Sequence, residues 1–496
     1  MKTDRSSVAL RRAMRRFLLP AALAVCGAVP AELYAEGGTV LNLSRYLQLV
    51  RQENLAAQGS AQSKSGAEGR KREADLIFAP SFFANGEVSS DAKPQDFNMM
   101  GNMYNRLETR KYSAGLSQTY NFGLQAKLYY SLSHVHYFFP SQSDTSLYDG
   151  SPVLELTQSL WQNAKGRYDR SKEESTRAQA DSDKWSAEND MRSLLVSAEK
   201  AYWNLAVCRE MVGIRKSAVE DAQAILDYDM KRAKMNLMDK SDVLQAKASL
   251  ESKKLELKSA QDSADSAMRA FRSYINLPEG TDAAVEPINW KLLMSLSSPD
   301  RPGDRADVQM AQASAAQSAA SSRMNAENDK PLFNIYLTQT LNGQDPNLTG
   351  MTADSLNLRK PSTTVGLKFS IPLEYDAQKQ ARFGAEQKEA AAALTYRQKV
   401  LDQESDWRDL IASLRDARSR LEMAFSIEAA QKEKLEYEKK RLREGRTTTY
   451  QVLSFEQDYS QSQYDRVTLA ATLLSLAAQV KLYGELPQPA SAPAAK

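Results

Sequence analysis

Residues 228–244 read YDMKRAKMNLMDKSDVL, and residues 437–453 read YEKKRLREGRTTTYQVL. At an offset of 209 residues Tyr228 meets Tyr437, Lys231 and Arg232 meet Lys440 and Arg441, and Val243 and Leu244 meet Val452 and Leu453. The match runs without a gap from Leu205 and Leu414 to Tyr274 and Tyr483, and on to Leu277-Pro278 and Leu486-Pro487. Two copies of one unit are therefore present. Further upstream the offset is 213, pairing Leu154 with Leu367 and Leu160 with Leu373. This places a length change of about one helical turn inside a long helix, where it preserves the facing side.

Outward from these segments both units follow one order. A helix rich in Ala, Ser, Gln and charge opens each, over 41–78 and again over 304–329, ended by Ala79-Pro80 and Lys330-Pro331. Alternating segments follow, over about 81–90 and 152–160 in the first unit and about 332–341 and 362–371 in the second. A proline-free helical pattern then covers 165–235 and 376–444, each reaching roughly 100 Å at the α-helical rise. Return helices over 238–276 and 447–484 complete two hairpins, in units spanning 36–280 and 304–487. Residues 281–303, with Pro287, Pro299 and Pro302, read as a linker, and 488–496 as a disordered tail. Helices of this length cannot bury an apolar stripe inside one compact protomer. Ile225, Leu226, Val243, Leu244, Leu250, Leu255 and Leu257 lie among Ala, Ser and Lys and require lateral neighbours.

The alternating segments have one apolar and one wet face. Leu124, Ala126, Leu128, Tyr130 and Leu132 alternate with Gln125, Lys127, Tyr129 and Ser131, while Val365, Leu367, Phe369 and Ile371 alternate with Gly366, Lys368 and Ser370. About ten residues cross a bilayer obliquely, so Leu124, Leu128, Leu132, Leu367 and Phe369 are candidate lipid-facing residues. One chain offers only four to six such strands, and an open sheet edge in lipid strands its backbone hydrogen bonds, so a barrel must close between chains. Residues 111–138 read as an added hairpin around Asn121, Phe122 and Gly123. Alternation alone leaves open whether it joins the barrel wall.

The N-terminus carries Lys2, Arg5, Arg11, Arg12, Arg15 and Arg16 before an apolar stretch from Phe17 to Val29 and small residues at Ala28, Ala31 and Ala35. This is the layout of a signal peptide over 1–35, with cleavage expected after residue 31 or 35. Cys26 is in a weak lipidation context, because bulky Val25 precedes it. Of 65 basic and 62 acidic residues, six and two fall in 1–35, so the remainder holds 59 against 60. The basicity resides in the export signal, and no attraction to nucleic acid follows. An apolar share of 42% with 26% charged residues and a mean hydropathy of −0.54 exclude a bundle of membrane-spanning helices. Two His and two Cys leave little room for zinc clusters, disulfide frameworks or histidine catalysis. Cys208 reads as a small buried apolar residue. His134 and His136 share one strand face, a metal-chelating spacing short of the usual three or four ligands. There is no GxxxxGK[ST], GxGxxG or HExxH sequence, so no enzyme activity and no cofactor is expected.

The duplication, the proline-free helices and the paired strands together resemble the TolC family of outer-membrane efflux proteins over residues 41–487. Lys234, Met235, Asn236 and Leu237 with Ser241, Asp242, Val243 and Leu244 resemble the first helix-hairpin tip of that family, with Asn236 in place of its usual glycine. Arg443, Glu444, Gly445 and Arg446 with Val452 and Leu453 resemble the second. Leu154, Leu156, Thr157, Gln158, Ser159 and Leu160, and Phe369, Ser370, Ile371, Pro372 and Leu373, resemble its strand-to-helix passage. The implied fold is mainly α with a β-barrel part: duplicated long-helix hairpins forming an α-helical tunnel, plus one transmembrane β-barrel per homotrimer.

The implied function is a passive duct through the cell outer membrane and periplasm of a Gram-negative bacterium, opened by a periplasmic adaptor and an inner-membrane efflux pump or ABC exporter, as in type I secretion. Asn236, Leu237, Gly445 and Arg446 would be the adaptor-docking surface, or residues that merely make tight turns. Several members narrow the closed end with paired aspartates. The aligned positions here are Gln451 and Ser454, which departs from that pattern. Asp242 is then the candidate gate acid, as a latch to Lys240, Arg441 or Arg443 or as a helix cap. The alternative reading is an exported periplasmic coiled-coil scaffold that carries nothing.

Overall fold

The computed structural model describes residues 40–92, 96–97, 103–139, 143–277, 284–295, 299–357 and 359–484. The segments expected to be a signal peptide over 1–35 and a tail over 488–496 lie outside the described residues. In the first unit β1 (Val40–Leu41), α1 (Leu43–Glu53), α2 (Leu55–Lys71) and a 3-10 turn (Arg72–Ile77) lead to β2 (Ser81–Asp91). Short β3 (Asp96–Phe97) and β4 (Met103–Tyr104) precede long β5 (Arg106–Thr119), β6 (Leu124–Phe138) and β7 (Thr145–Ser159). The 68-residue α3 (Arg167–Lys234) and α4 (Lys240–Tyr274) form the first hairpin. After β8 (Ala284–Val285) and α5 (Trp290–Met294) the second unit runs through α6 (Ala306–Asn328), β9 (Leu332–Leu341), β10 (Gly343–Asp345), α7 (Leu348–Ser355) and β11 (Pro361–Ser370). It ends with the 69-residue α8 (Tyr375–Arg443), α9 (Thr449–Gln479) and a 3-10 turn (Val480–Tyr483).

Three sequence expectations are corrected by local chemistry. The helix over 41–78 is broken at Asn54, whose side chain accepts from the Ala56 and Ala57 amides at 2.9 and 3.2 Å while its own amide donates to Val50 O. Asn54 thus closes α1 and caps α2, and the local bonds outcompete a continuous helix. The linker over 281–303 is docked where described: β8 pairs in parallel with β1, and Val285, Ile288 and Leu293 join the core. Lastly, the length change between units lies mainly outside the long helices, which differ by one residue. The passage from strand to helix has seven residues after Ser159 and four after Ser370.

Helix α3 packs against α2, α4, α6 and α9. Its contact with α6 includes Ser175 and Ser321 at 3.0 Å, and α6 buries small residues such as Ala311, Ser318, Ala320 and Ser322; small residues let helix backbones approach closely, in keeping with the Ala/Ser-rich composition. The principal core collects Tyr46, Tyr202, Leu205, Phe271, Leu421, Val467 and Leu473 from both units. Tyr46 stacks on Phe271 at 4.4 Å between ring centres and donates its hydroxyl to Phe271 O at 3.2 Å. Each such buried side chain contributes about 1.5–3 kcal/mol. Among the described residues no helix is long and apolar enough to cross a membrane.

Candidate functional site

The two helix tips are built alike. α3 runs into left-handed Asn236 (φ 55°) and α8 into Gly445 (φ 71°). At the first tip the Leu237 amide donates to Arg232 O and the Asn236 amide to Ala233 O, both at 3.0 Å. At the second the Arg446 amide donates to Arg441 O at 2.9 Å and the Gly445 amide to Leu442 O at 3.0 Å. This paired pattern satisfies the last helix carbonyls and needs a residue that tolerates positive φ. The tips lie side by side: Tyr228 donates its hydroxyl to Leu442 O at 3.0 Å, over a core of Ile225, Leu226, Leu250, Leu435, Leu442, Val452 and Leu453. Asn236, Leu237, Gly445 and Arg446 are all exposed at this end.

The gate candidates are placed less simply. Asp242 is half-buried in the first turn of α4, where a carboxylate is favoured by the helix dipole. Among the described residues it forms no ion pair with Lys240, Arg441 or Arg443, so an intrachain latch to them is not made. Arg441 is instead held by Glu438 at 3.1 Å and by Arg446 O at 3.2 Å. Gln451 gives its amide to the Thr448 hydroxyl that caps α9, and Ser454 follows one turn later, half-buried.

Two buried carboxylates near the tips escaped the sequence reading. Asp229 is fully buried and accepts a 2.9 Å hydrogen bond from the Thr449 hydroxyl across the two units. Burial pushes its carboxyl above the usual range, opposed by that hydrogen bond. Glu456 is 3% exposed, and neither of its carboxylate oxygens has a hydrogen-bond partner. Burial, reinforced by Asp221, pushes it up to about 7 against the pull of Lys439 and Lys253. Around it Lys439 pairs with Asp221 at 2.8 Å, Arg215 with Glu256 at 2.7 Å, and Arg215 donates to Ser460 Oγ at 2.7 Å. The cluster joins α3, α4, α8 and α9, and no spacing within one helix announces it.

At the other end of the long helices the strands form one antiparallel sheet in the order β11-β9-β7-β6-β5-β2, with β10 also on β7. The register pairs Leu367 with Ile335 and Phe369 with Phe333, Leu337 with Leu156, Leu154 with Leu128, Leu128 with Leu116, and Leu116 with Phe82. Directly opposed residues share a face, so Leu124, Leu128, Leu132, Leu367 and Phe369 lie on one apolar face crossing all six strands. Phe82, Leu116, Leu128, Leu367 and Phe369 are exposed there. The opposite face carries Asn85, Lys111, Ser131, Glu155, Thr338 and Lys368, with Tyr129 donating to Glu155 at 2.7 Å. His134 stacks on Tyr148 at 4.3 Å and His136 meets Phe138 edge to face at 4.5 Å. Among the described residues no group of three or more His, Cys, Asp or Glu is placed to hold a metal ion.

No protein-family model matches the chain, and no curated protein matches it either. Solved structures do. The Campylobacter jejuni CmeC outer membrane channel is similar at 14% identity and a TM-score of 0.63, over 89% of this chain and 85% of that one. The outer membrane protein VceC of Vibrio cholerae is similar at 15% identity and 0.64, over 89% and 96%. The open state of the Neisseria gonorrhoeae MtrE outer membrane channel is similar at 16% identity and 0.61, over 89% of each chain. The chain thus has the fold of the TolC-like outer-membrane channels.

Proposed function

We propose that three copies of this chain form one passive exit duct, with the sheet crossing the outer membrane and the long helices crossing the periplasm. The observation that carries the reading is the sheet itself. Its apolar face is continuous over six strands, its other face is polar, and the outer edges of β2 and β11 lack a partner strand among the described residues. Lipid solvates the first face, water the second, and copies of the chain satisfy the edges. The fold shared with outer-membrane channels over about nine-tenths of the chain supports the same reading.

In this account the duct serves a tripartite efflux or type I secretion assembly. A periplasmic adaptor docks on the tips around Asn236, Leu237, Gly445 and Arg446, and an inner-membrane pump or ABC exporter supplies the energy. Leu237 and Arg446 offer the adaptor one apolar and one basic contact on turns whose backbones are fixed by the carbonyl-capping pattern. Asp242, Gln451 and Ser454 sit where rotation of the hairpins would open the end. Purified protein in planar bilayers should show discrete conductance steps, and their absence would remove the duct reading. Asp242→Ala should raise the step size if Asp242 holds the closed end through a neighbouring copy; an unchanged step leaves Asp242 only its place in the first turn of α4, whose N-cap residue is Asp239.

A further inference from the structure

The duplicated plan supplies two strands per unit, β2 and β7 in the first and β9 and β11 in the second. The inserted hairpin β5–β6 is extra. Its strands are not an appendage: β5 pairs with β2 over eleven residues and with β6 over fourteen, and β6 pairs with β7 over fourteen. The apolar face stays in register through them, at Tyr112, Ala114 and Leu116 of β5 and Leu128, Tyr130 and Leu132 of β6.

A second observation concerns the helical end of the hairpin. Its turn at Tyr120–Gly123 is held by the Ser159 amide donating to Gly123 O at 3.1 Å and by Gln158 Nε2 donating to Phe122 O at 3.2 Å. The strand-to-helix passage beside it is three residues longer than its counterpart in the second unit and holds Asn163, Lys165 and Gly166 at positive φ. The backbones meet so closely that a Cβ on Gly166 would lie 2.0 Å from Asn121 O, and one on Gly123 would lie 2.7 Å from Asn163 O. The longer passage is shaped around the hairpin turn.

We infer that β5 and β6 are part of the membrane wall, so that three copies joined edge to edge, β2 of one to β11 of the next, close an eighteen-strand barrel rather than a twelve-strand one. The inference rests on the duct reading above and adds the barrel's size to it. An even number of alternating antiparallel strands leaves β2 and β11 running in opposite directions, so each joint between copies is itself antiparallel. The two edges also match in length, at eleven and ten residues. Strand number sets diameter. At a spacing of about 4.8 Å and a tilt of about 40° the backbone diameter is roughly 36 Å, against roughly 24 Å for twelve strands. The added water-filled cross-section is lined by Lys111, Ser113, Lys127 and Ser131, and it admits solutes of larger girth through the membrane section.

Electron microscopy of the full-length protein in lipid nanodiscs counts the strands directly. Six per copy and eighteen in the ring is the expected result, and a variant lacking residues 106–138 should close with twelve. Site probes give an independent readout in a Cys208→Ser background: a fluorophore on Leu116→Cys should be quenched by nitroxides on lipid chains, and one on Ser117→Cys by aqueous quencher only. A closed twelve-strand ring with both positions in water would overturn the inference and leave the duct intact. Particles with no closed ring would overturn both.

Discussion

Glu456 sits where α3, α4, α8 and α9 meet, among Asp221, Glu256, Lys253 and Lys439. An unfolded glutamate releases its proton near pH 4.5, whereas the folded one holds it to about 7. Between those values the folded state binds the extra proton, so packing of the hairpins weakens as pH rises through that window and is strongest below it. The full effect is on the order of 3 kcal/mol. Glu456→Gln should flatten this dependence and slow amide exchange around residues 430–460 at pH 8; an unaltered pH profile would remove Glu456 from the account. Thr449→Val leaves buried Asp229 without its partner and should cost about 1–3 kcal/mol locally, read as faster exchange in 225–235. Neither carboxylate was legible beforehand, because Asp229 meets Thr449 and Glu456 meets Asp221 only where the two units pack together. Tyr46 and Asn54 were equally unreadable, since one stacks and the other caps only in context.

At the scale of elements, the two tips were legible from a single alignment: Asn236 and Gly445 occupy equivalent positions, and both adopt positive φ. Glycine reaches that region without a steric penalty, while a β-carbon costs about 1 kcal/mol. Asn236→Gly should therefore stabilise the first tip slightly, and Gly445→Ala should destabilise the second by about 1 kcal/mol, as measured by limited proteolysis at the turns. Equal proteolysis of both variants and the parent would contradict the turn geometry. The strands were legible as two-faced segments from Leu124 to Leu132, but period two identifies a residue's face and says nothing of its neighbour strand. That is why the place of the hairpin 111–138 needed the register Leu116 to Leu128 to Leu154. The break at Asn54 and the docking of 284–295 were hidden for a related reason: short polar caps and isolated apolar residues carry no period.

For the molecule as a whole, a single chain leaves two large surfaces uncovered. The first half of α8 presents Tyr375, Phe383, Leu394 and Leu401 to solvent, and Leu373 before it is 92% exposed. The sheet above it ends in two unpaired edges. The sequence leads to an expectation of lateral neighbours for helices of this length, and the exposed flank of α8 is where the proposed neighbouring copies would pack. A charge on the apolar sheet face tests the membrane assignment: Leu128→Arg should cost about 2–4 kcal/mol near mid-bilayer and deplete the protein from outer membranes, whereas Ser131→Arg on the opposite face should be inserted normally. Equal depletion of both would argue that the faces are misassigned.

The most direct measurement of the proposed shared duct is the native mass of the full-length protein extracted in detergent from isolated outer membranes, without crosslinking. Three processed chains in one particle, beginning near Glu32 or Glu36, are predicted. A monomer or dimer recovered without membrane association would contradict the account and leave the long helices as a periplasmic scaffold.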